Sequence, residues 1–162
     1  MHKIIATLLS IQDRVGQIID STNESFFEQL VDWWKRMLDY YTSIRSPQLI
    51  PNEWEIYDID LWVGVGSELQ KTRPCIIVSK NWFNKWDTVM IIPITSHKPH
   101  KKIWIVSVFI SQELSNGLDN DSLIMIAKMR EVSKSRIRSK RWIIAGKEYK
   151  KLKQWLQVYL WI

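Results

Sequence analysis

The chain has 162 residues, enough for one core-bearing domain with or without an appendage, and although 46% of them are apolar, no uncharged run approaches the ~20 residues needed to cross a bilayer. Its single cysteine excludes an intrachain disulfide and argues against a cysteine-based metal site. The formal charge of +6 is uneven: residues 1–50 carry five Lys/Arg against six Asp/Glu, and residues 51–162 carry eighteen against eleven, which points the second part toward a polyanionic partner.

Two helices are predicted first. Over residues 3–19, Ile4, Leu8, Ile11, Val15, Ile18 and Ile19 recur at three- and four-residue spacing, as one helical face requires. The start has a weak charged-then-apolar look, but Gln12, Asp13 and Arg14 interrupt it with no small-residue cleavage site, so a cytoplasmic protein with no membrane partner is expected. Ser21-Thr22-Asn23-Glu24 reads as a capping box, in which hydroxyl and carboxylate satisfy free amides at a helix start. The helix it opens is predicted to run to about Tyr41, and Phe26, Phe27, Leu30, Trp33, Trp34 and Leu38 give it an apolar face too wide to leave in water. Ser46-Pro47 and Pro51-Asn52 mark a linker, because proline excludes helical geometry from the residue before it. Residues 1–46 are therefore expected to be a helical N-terminal extension and residues 52–162 a second domain.

After the linker the apolar period shortens to about two. Strands are predicted at residues 55–60, 75–79, 88–94, 103–108, 122–125 and 129–132, with a short one at 141–144. Gly64 and Gly66 give a long, permissive loop after the first strand, and Asn116-Gly117 a turn before Ser122. Arg73 is expected on the last loop residue before the second strand, held extended by Pro74, so that a guanidinium sits at the rim of the β-structure. A helix from about Lys147 closes the chain, with Tyr149, Leu152, Leu156, Tyr159 and Leu160 on one face. Short strands followed by one packing helix predict an α+β fold built on a small barrel.

Several runs occur in a characteristic order: Glu55-Ile56-Tyr57-Asp58-Ile59-Asp60-Leu61; Gly66-Ser67-Glu68, Lys71 and Arg73-Pro74; Asp87-Thr88-Val89 leading to Pro93-Ile94-Thr95-Ser96; Leu118-Asp119 and Asp121-Ser122; and Arg130, Val132, Lys134 and Arg136. Together, over residues 53–160, they resemble the MazF/PemK toxins of prokaryotic toxin–antitoxin pairs. The resemblance implies a small SH3-like β-barrel of the MazF/PemK/CcdB kind with a C-terminal helix, a homodimer, and an endoribonuclease that needs no metal or other cofactor and is inhibited by a cognate antitoxin. It also implies that Arg73 and Thr95 are the catalytic pair. Single-stranded RNA is expected to be contacted by Ser67, Glu68, Lys71, Ser96, His97, Lys98 and Arg130. Two positions depart from the family pattern: Glu55 stands where a glycine is common, and Lys128-Met129 where an acidic or amide residue precedes isoleucine. Residues 1–50 lie outside the family core.

Metal-free RNA cleavage requires the ribose 2′-oxygen to attack its own phosphate, so the enzyme must stabilise a pentavalent phosphorane and move two protons. The planar fork of Arg73 can hold two phosphate oxygens, and the Thr95 hydroxyl can donate to the same group. An arginine whose solution pKa exceeds ~12 is a poor base, so its role is electrostatic. His97 and His100 are candidate proton carriers because imidazole titrates near neutral pH, and Glu68 is an alternative base. The bland readings are solvated loop histidines, an Arg73 ion pair with Glu68 or Glu53, and an exposed Lys71. Eleven cations from Lys128 to Lys153 face only Glu131 and Glu148, as a track for a single-stranded backbone would. Trp62, Trp82 and Trp86 are placed to stack on bases, with a core role as the alternative.

Competing readings are a non-catalytic barrel toxin that binds a protein target such as a topoisomerase, and a nucleic-acid-binding regulator. Residues 1–46 either restrain the barrel in cis or add a packing layer.

Overall fold

The computed structural model describes residues 2–19, 24–42, 49–62, 66–98, 106–113 and 117–161. The chain divides into two compact units, residues 1–42 and 43–162.

The first unit holds α1 (His2–Ile18) and α2 (Glu24–Thr42). Glu24 lies in the first turn of α2, where a carboxylate favours the positive end of the helix dipole. The proposed cap at Ser21 falls outside the described residues. No described residue of α2 is buried: Phe27, Leu30, Trp33 and Met37 are half-buried, and Phe26, Trp34, Leu38 and Tyr41 are exposed.

The second unit is an antiparallel sheet with a C-terminal helix. Its described strands are β1 (Glu55–Asp60), β2 (Thr72–Ile77), β3 (Thr88–Ser96), β4 (Val108–Ile110), β5 (Ser122–Ile124), β6 (Arg130–Ser133) and β7 (Ile137–Ile143), followed by α3 (Gly146–Leu160). The order across the sheet is β4-β5-β3-β2-β1-β7, with β6 paired to β3. Both faces are apolar. Ile56, Ile76, Ile92, Ile94 and Ile124 cluster with Leu152 of α3, whereas Tyr57, Ile59, Cys75, Ile77, Val89 and Ile91 form a second cluster. Adjacent residues of one strand enter different clusters, as the two-residue side-chain period dictates. Each fully buried isoleucine contributes roughly 1.5–3 kcal/mol.

Two strand expectations need correction. β2 begins at Thr72 rather than at residue 75, because Asp60↔Thr72 and Ile59↔Arg73 pair with β1; Arg73 is thus inside a strand, not on the loop before it. Pro74 removes one ladder donor but keeps its predecessor extended, which is what the pairing needs. β7 spans seven residues rather than a short 141–144 segment, since it pairs along β1 from Ile59↔Ile137 to Glu55↔Ile143 with two register shifts. Residues 138–140 are exposed and polar, so this edge strand carries little apolar alternation. Of the segment 103–108, residues 103–105 lie outside the described set, and strand structure starts at Val108. Gly64 and Asn116 also lie outside it.

Candidate active site

The loop between β1 and β2 has a closed neck. Lys71 N–H donates to Trp62 O at 2.9 Å, and Leu61 N–H donates to Lys71 O at 3.1 Å. Trp62 and Lys71 both take left-handed backbone, with φ of 62° and 69°, a conformation costing about 1 kcal/mol or more for a side-chain-bearing residue. The result is a fixed entry into β2 and a Lys71 side chain exposed beside it.

Two residues further on, half-buried Arg73 is held at its root, where Nε donates to Gln70 O at 2.7 Å. Its Nη1 donates to Thr95 Oγ1 at 3.3 Å. Thr95 reaches that point because β3 runs past its Cys75↔Pro93 pairing with β2 and pairs onward with β5, Thr95 opposite Leu123. Arg73 makes no ion pair among the described residues, and Glu53 is engaged by Lys80 at 2.8 Å.

The pair lies in a cavity of about 350 Å³ lined by residues 71–74 and 94–96, by Leu118, Asp119, Asn120 and Ser122, and by Arg141. Arg141 ties this wall together. Its Nε donates to Asp58 Oδ1 at 2.8 Å, and its Nη1 donates to Gly117 O and Asp119 Oδ2, each at 3.0 Å. Burial works against its charge, but its hydrogen bonds to Asp58 and Asp119 prevail and raise its pKa above the ordinary arginine value.

Lys71, Arg73, Thr95 and Ser96 therefore meet at one cavity, and the other expected contact residues do not line it. Ser67 and Glu68 are exposed in the β1–β2 loop, where Ser67 O accepts from Lys128 Nζ at 3.4 Å. His97 N–H donates to Asp121 O at 2.7 Å and its ring meets Phe109 edge-on, with centroids 5.5 Å apart. Lys98 is exposed, and His100 lies outside the described residues. Arg130 braces the loop from beneath: Nη2 donates to Leu69 O at 3.1 Å and to Leu61 O at 3.4 Å. It lines a separate cavity of about 300 Å³, shared with Asp60, Trp62 and Arg136. There the Arg136 guanidinium lies 3.9 Å from the Trp62 ring centroid. Trp82 and Trp86 flank the 3-10 turn Phe83–Lys85 and are exposed.

Arg141 and Asn120 were not singled out by the sequence as site residues. Asp119 and Ser122 stood in a run with the family's order but carried no assigned role, and Arg141 was one cation among eleven.

The family described as "PemK-like, MazF-like toxin of type II toxin-antitoxin system" matches residues 52–160. Endoribonuclease MazF of Staphylococcus saprophyticus is 29% identical over 108 residues, covering 65% of this chain and 88% of that protein. Among solved structures, MazF (Form-I) from Deinococcus radiodurans superposes with a TM-score of 0.58 at 16% identity, over 70% of this chain and 99% of that one. A mycobacterial endoribonuclease in complex with its cognate antitoxin gives 0.53 at 18% identity, over 69% and 96% of the two chains. These structural likenesses speak to the fold.

Proposed function

Because the chain belongs to the PemK-like, MazF-like toxin family of type II toxin–antitoxin systems, we propose that it is an endoribonuclease that cuts single-stranded RNA at the Arg73–Thr95 cavity without a metal. The contact between Arg73 Nη1 and Thr95 Oγ1, in a cavity also lined by Lys71, carries this reading. It brings three donors of the kind a phosphorane needs to one place.

The 2′-oxygen attacks phosphorus, the P–O5′ bond breaks, and the products are a 2′,3′-cyclic phosphate and a 5′-hydroxyl. Arg73 and Thr95 donate to the non-bridging oxygens as negative charge builds there, and Lys71 offsets the charge of the backbone. The Arg73–Gln70 bond fixes the guanidinium before substrate arrives, so little reorganisation accompanies the reaction. His97 and Glu68 do not line the cavity. The two proton transfers are assigned to water, which reaches the exposed Lys71 and Ser96 side of the site; His100 lies outside the described residues.

Residues 52–162 are assigned the nuclease activity, and residues 1–46 are an appended helical unit. The protein is further proposed to act as a cytoplasmic homodimer and to be held in check by a cognate antitoxin, the antitoxin being supported by the similarity to an endoribonuclease solved with its cognate antitoxin. No helix among the described residues is long and apolar enough to cross a membrane.

The test is cleavage of a long single-stranded RNA in EDTA, with 5′-hydroxyl ends mapped by ligation. Cleavage should persist in the chelator, and its loss there would refute the metal-free step. Growth arrest by an Arg73→Ala/Thr95→Ala double variant would instead select a protein-target toxin.

A further inference from the structure

The cavity contains a second guanidinium that the proposed chemistry leaves unused. Arg141 of β7 spends Nε on Asp58 and Nη1 on Gly117 O and Asp119, and no described residue accepts from its Nη2. Its two carboxylate partners are not alike. The Asp58 side chain is only 17% exposed and also accepts from Ser139 Oγ at 3.0 Å, whereas the Asp119 side chain is 77% exposed on a loop.

We propose that Arg141 is a second phosphate-binding group of this cavity and that the Asp119 carboxylate is an anionic stand-in which the RNA backbone displaces. The inference rests on the nuclease reading of the same cavity. A carboxylate and a phosphodiester offer a guanidinium the same kind of paired oxygen acceptors, so either can fill the position. A water-exposed partner is held weakly and is screened by salt, which makes Asp119 the one to leave. Asp58 at Nε and the Gly117 carbonyl at Nη1 keep the guanidinium in place when it does.

The loop itself need not move. Asp121, two residues on, is fixed by its carboxylate, which accepts from Gln112 N–H at 2.8 Å, and by its carbonyl, which accepts from His97 N–H at 2.7 Å. Ser122 Oγ donates to Asn120 O at 2.7 Å. Rotation of the Asp119 side chain is enough to expose Nη1 as well as Nη2. With the carboxylate gone, Lys71, Arg73 and Arg141 line the cavity without an opposing charge among its described lining residues.

The experiment is a binding cycle on the full chain, using a fluorescein-labelled single-stranded RNA whose 2′-hydroxyls are all methylated so that it cannot be cut. Anisotropy titrations compare wild type, Asp119→Ala, Arg141→Gln and the double variant across a salt series, with circular dichroism confirming each fold. Asp119→Ala is expected to bind about three- to tenfold more tightly, because a competitor for Arg141 is lost. Arg141→Gln should bind more weakly, with a salt slope shallower by about 0.7, the value for one phosphate contact on a single strand. In the Arg141→Gln background the gain from removing Asp119 should vanish, since the two then act through one group. Unchanged or weaker binding by Asp119→Ala overturns the proposal, and so does a gain that persists without Arg141, which marks a general charge effect. Should Arg141→Gln fail to fold, Asp119→Ala is compared with Glu131→Ala, which removes an exposed carboxylate that does not line this cavity, and an equal gain from both overturns the proposal. Failure of the wild type to bind any RNA refutes the nuclease reading itself.

Discussion

Arg73 and Thr95 differ in what their loss should remove. Arg73 supplies the larger charge and a two-donor fork, so Arg73→Ala is expected to lower kcat by about 10²- to 10³-fold, the effect of deleting one preorganised oxyanion donor. Its melting temperature should hardly change, because among the described residues the side chain bonds only to Gln70 O and Thr95. Arg73→Lys should recover only part of the activity, since an ammonium cannot bridge two oxygens in one plane. Glu55 illustrates a residue whose contribution is structural. Burial pushes its carboxyl up, but hydrogen bonds from Lys140, Asn52 and Tyr57 prevail and hold it at about 2. A depressed pKa stabilises the fold above the unfolded value of 4.5 and loses that contribution as pH falls toward about 2. Urea unfolding should therefore show up to about 3 kcal/mol lost across that window, and Glu55→Gln should flatten the dependence. Burial and the bond to Glu55 raise the Tyr57 hydroxyl pKa in turn, so it remains a donor throughout.

Among the elements, β1 was legible to the residue because strand-favouring Ile56, Tyr57 and Ile59 fall in a short run bounded by a turn and a loop with two glycines. β7 was not, since residues 138–140 point outward and the strand exists through its pairing with β1, a contact about eighty residues apart in sequence that local pattern cannot show. The same reason separates the site residues. Arg73 and Thr95 sit in short runs with distinctive neighbours, whereas Arg141 joins the cavity only by way of that long-range pairing. The 3-10 turn Phe83–Lys85 was equally hidden, because its anchor is buried: Asn84 Nδ2 donates to Pro51 O at 2.8 Å and Ser79 O at 3.1 Å, and Ser79 Oγ bonds back to Asn84 Oδ1. Lys134 Nζ completes the pin by donating to Asn84 O at 3.0 Å. Asn84→Ala should cost about 2–3 kcal/mol by leaving buried acceptors without donors, read as a drop in melting temperature.

For the whole molecule, the two compact units and the family match over residues 52–160 lead to one expectation. A chain lacking residues 1–46 should keep its β-rich circular dichroism and its RNA cleavage; a rise in toxicity would mark restraint in cis, and insolubility a packing role. The excess of positive charge in residues 51–162 predicts RNA binding that weakens steeply with salt. One more consequence follows from the sole thiol, Cys75, which is wholly enclosed, with Sγ donating to Arg73 O at 3.5 Å. Burial raises its pKa far above the ordinary thiol value, so neither thiolate nor reagent access exists while the sheet is closed. Alkylation can then proceed only when the core parts, and its rate becomes a built-in clock for opening of the strand that carries Arg73.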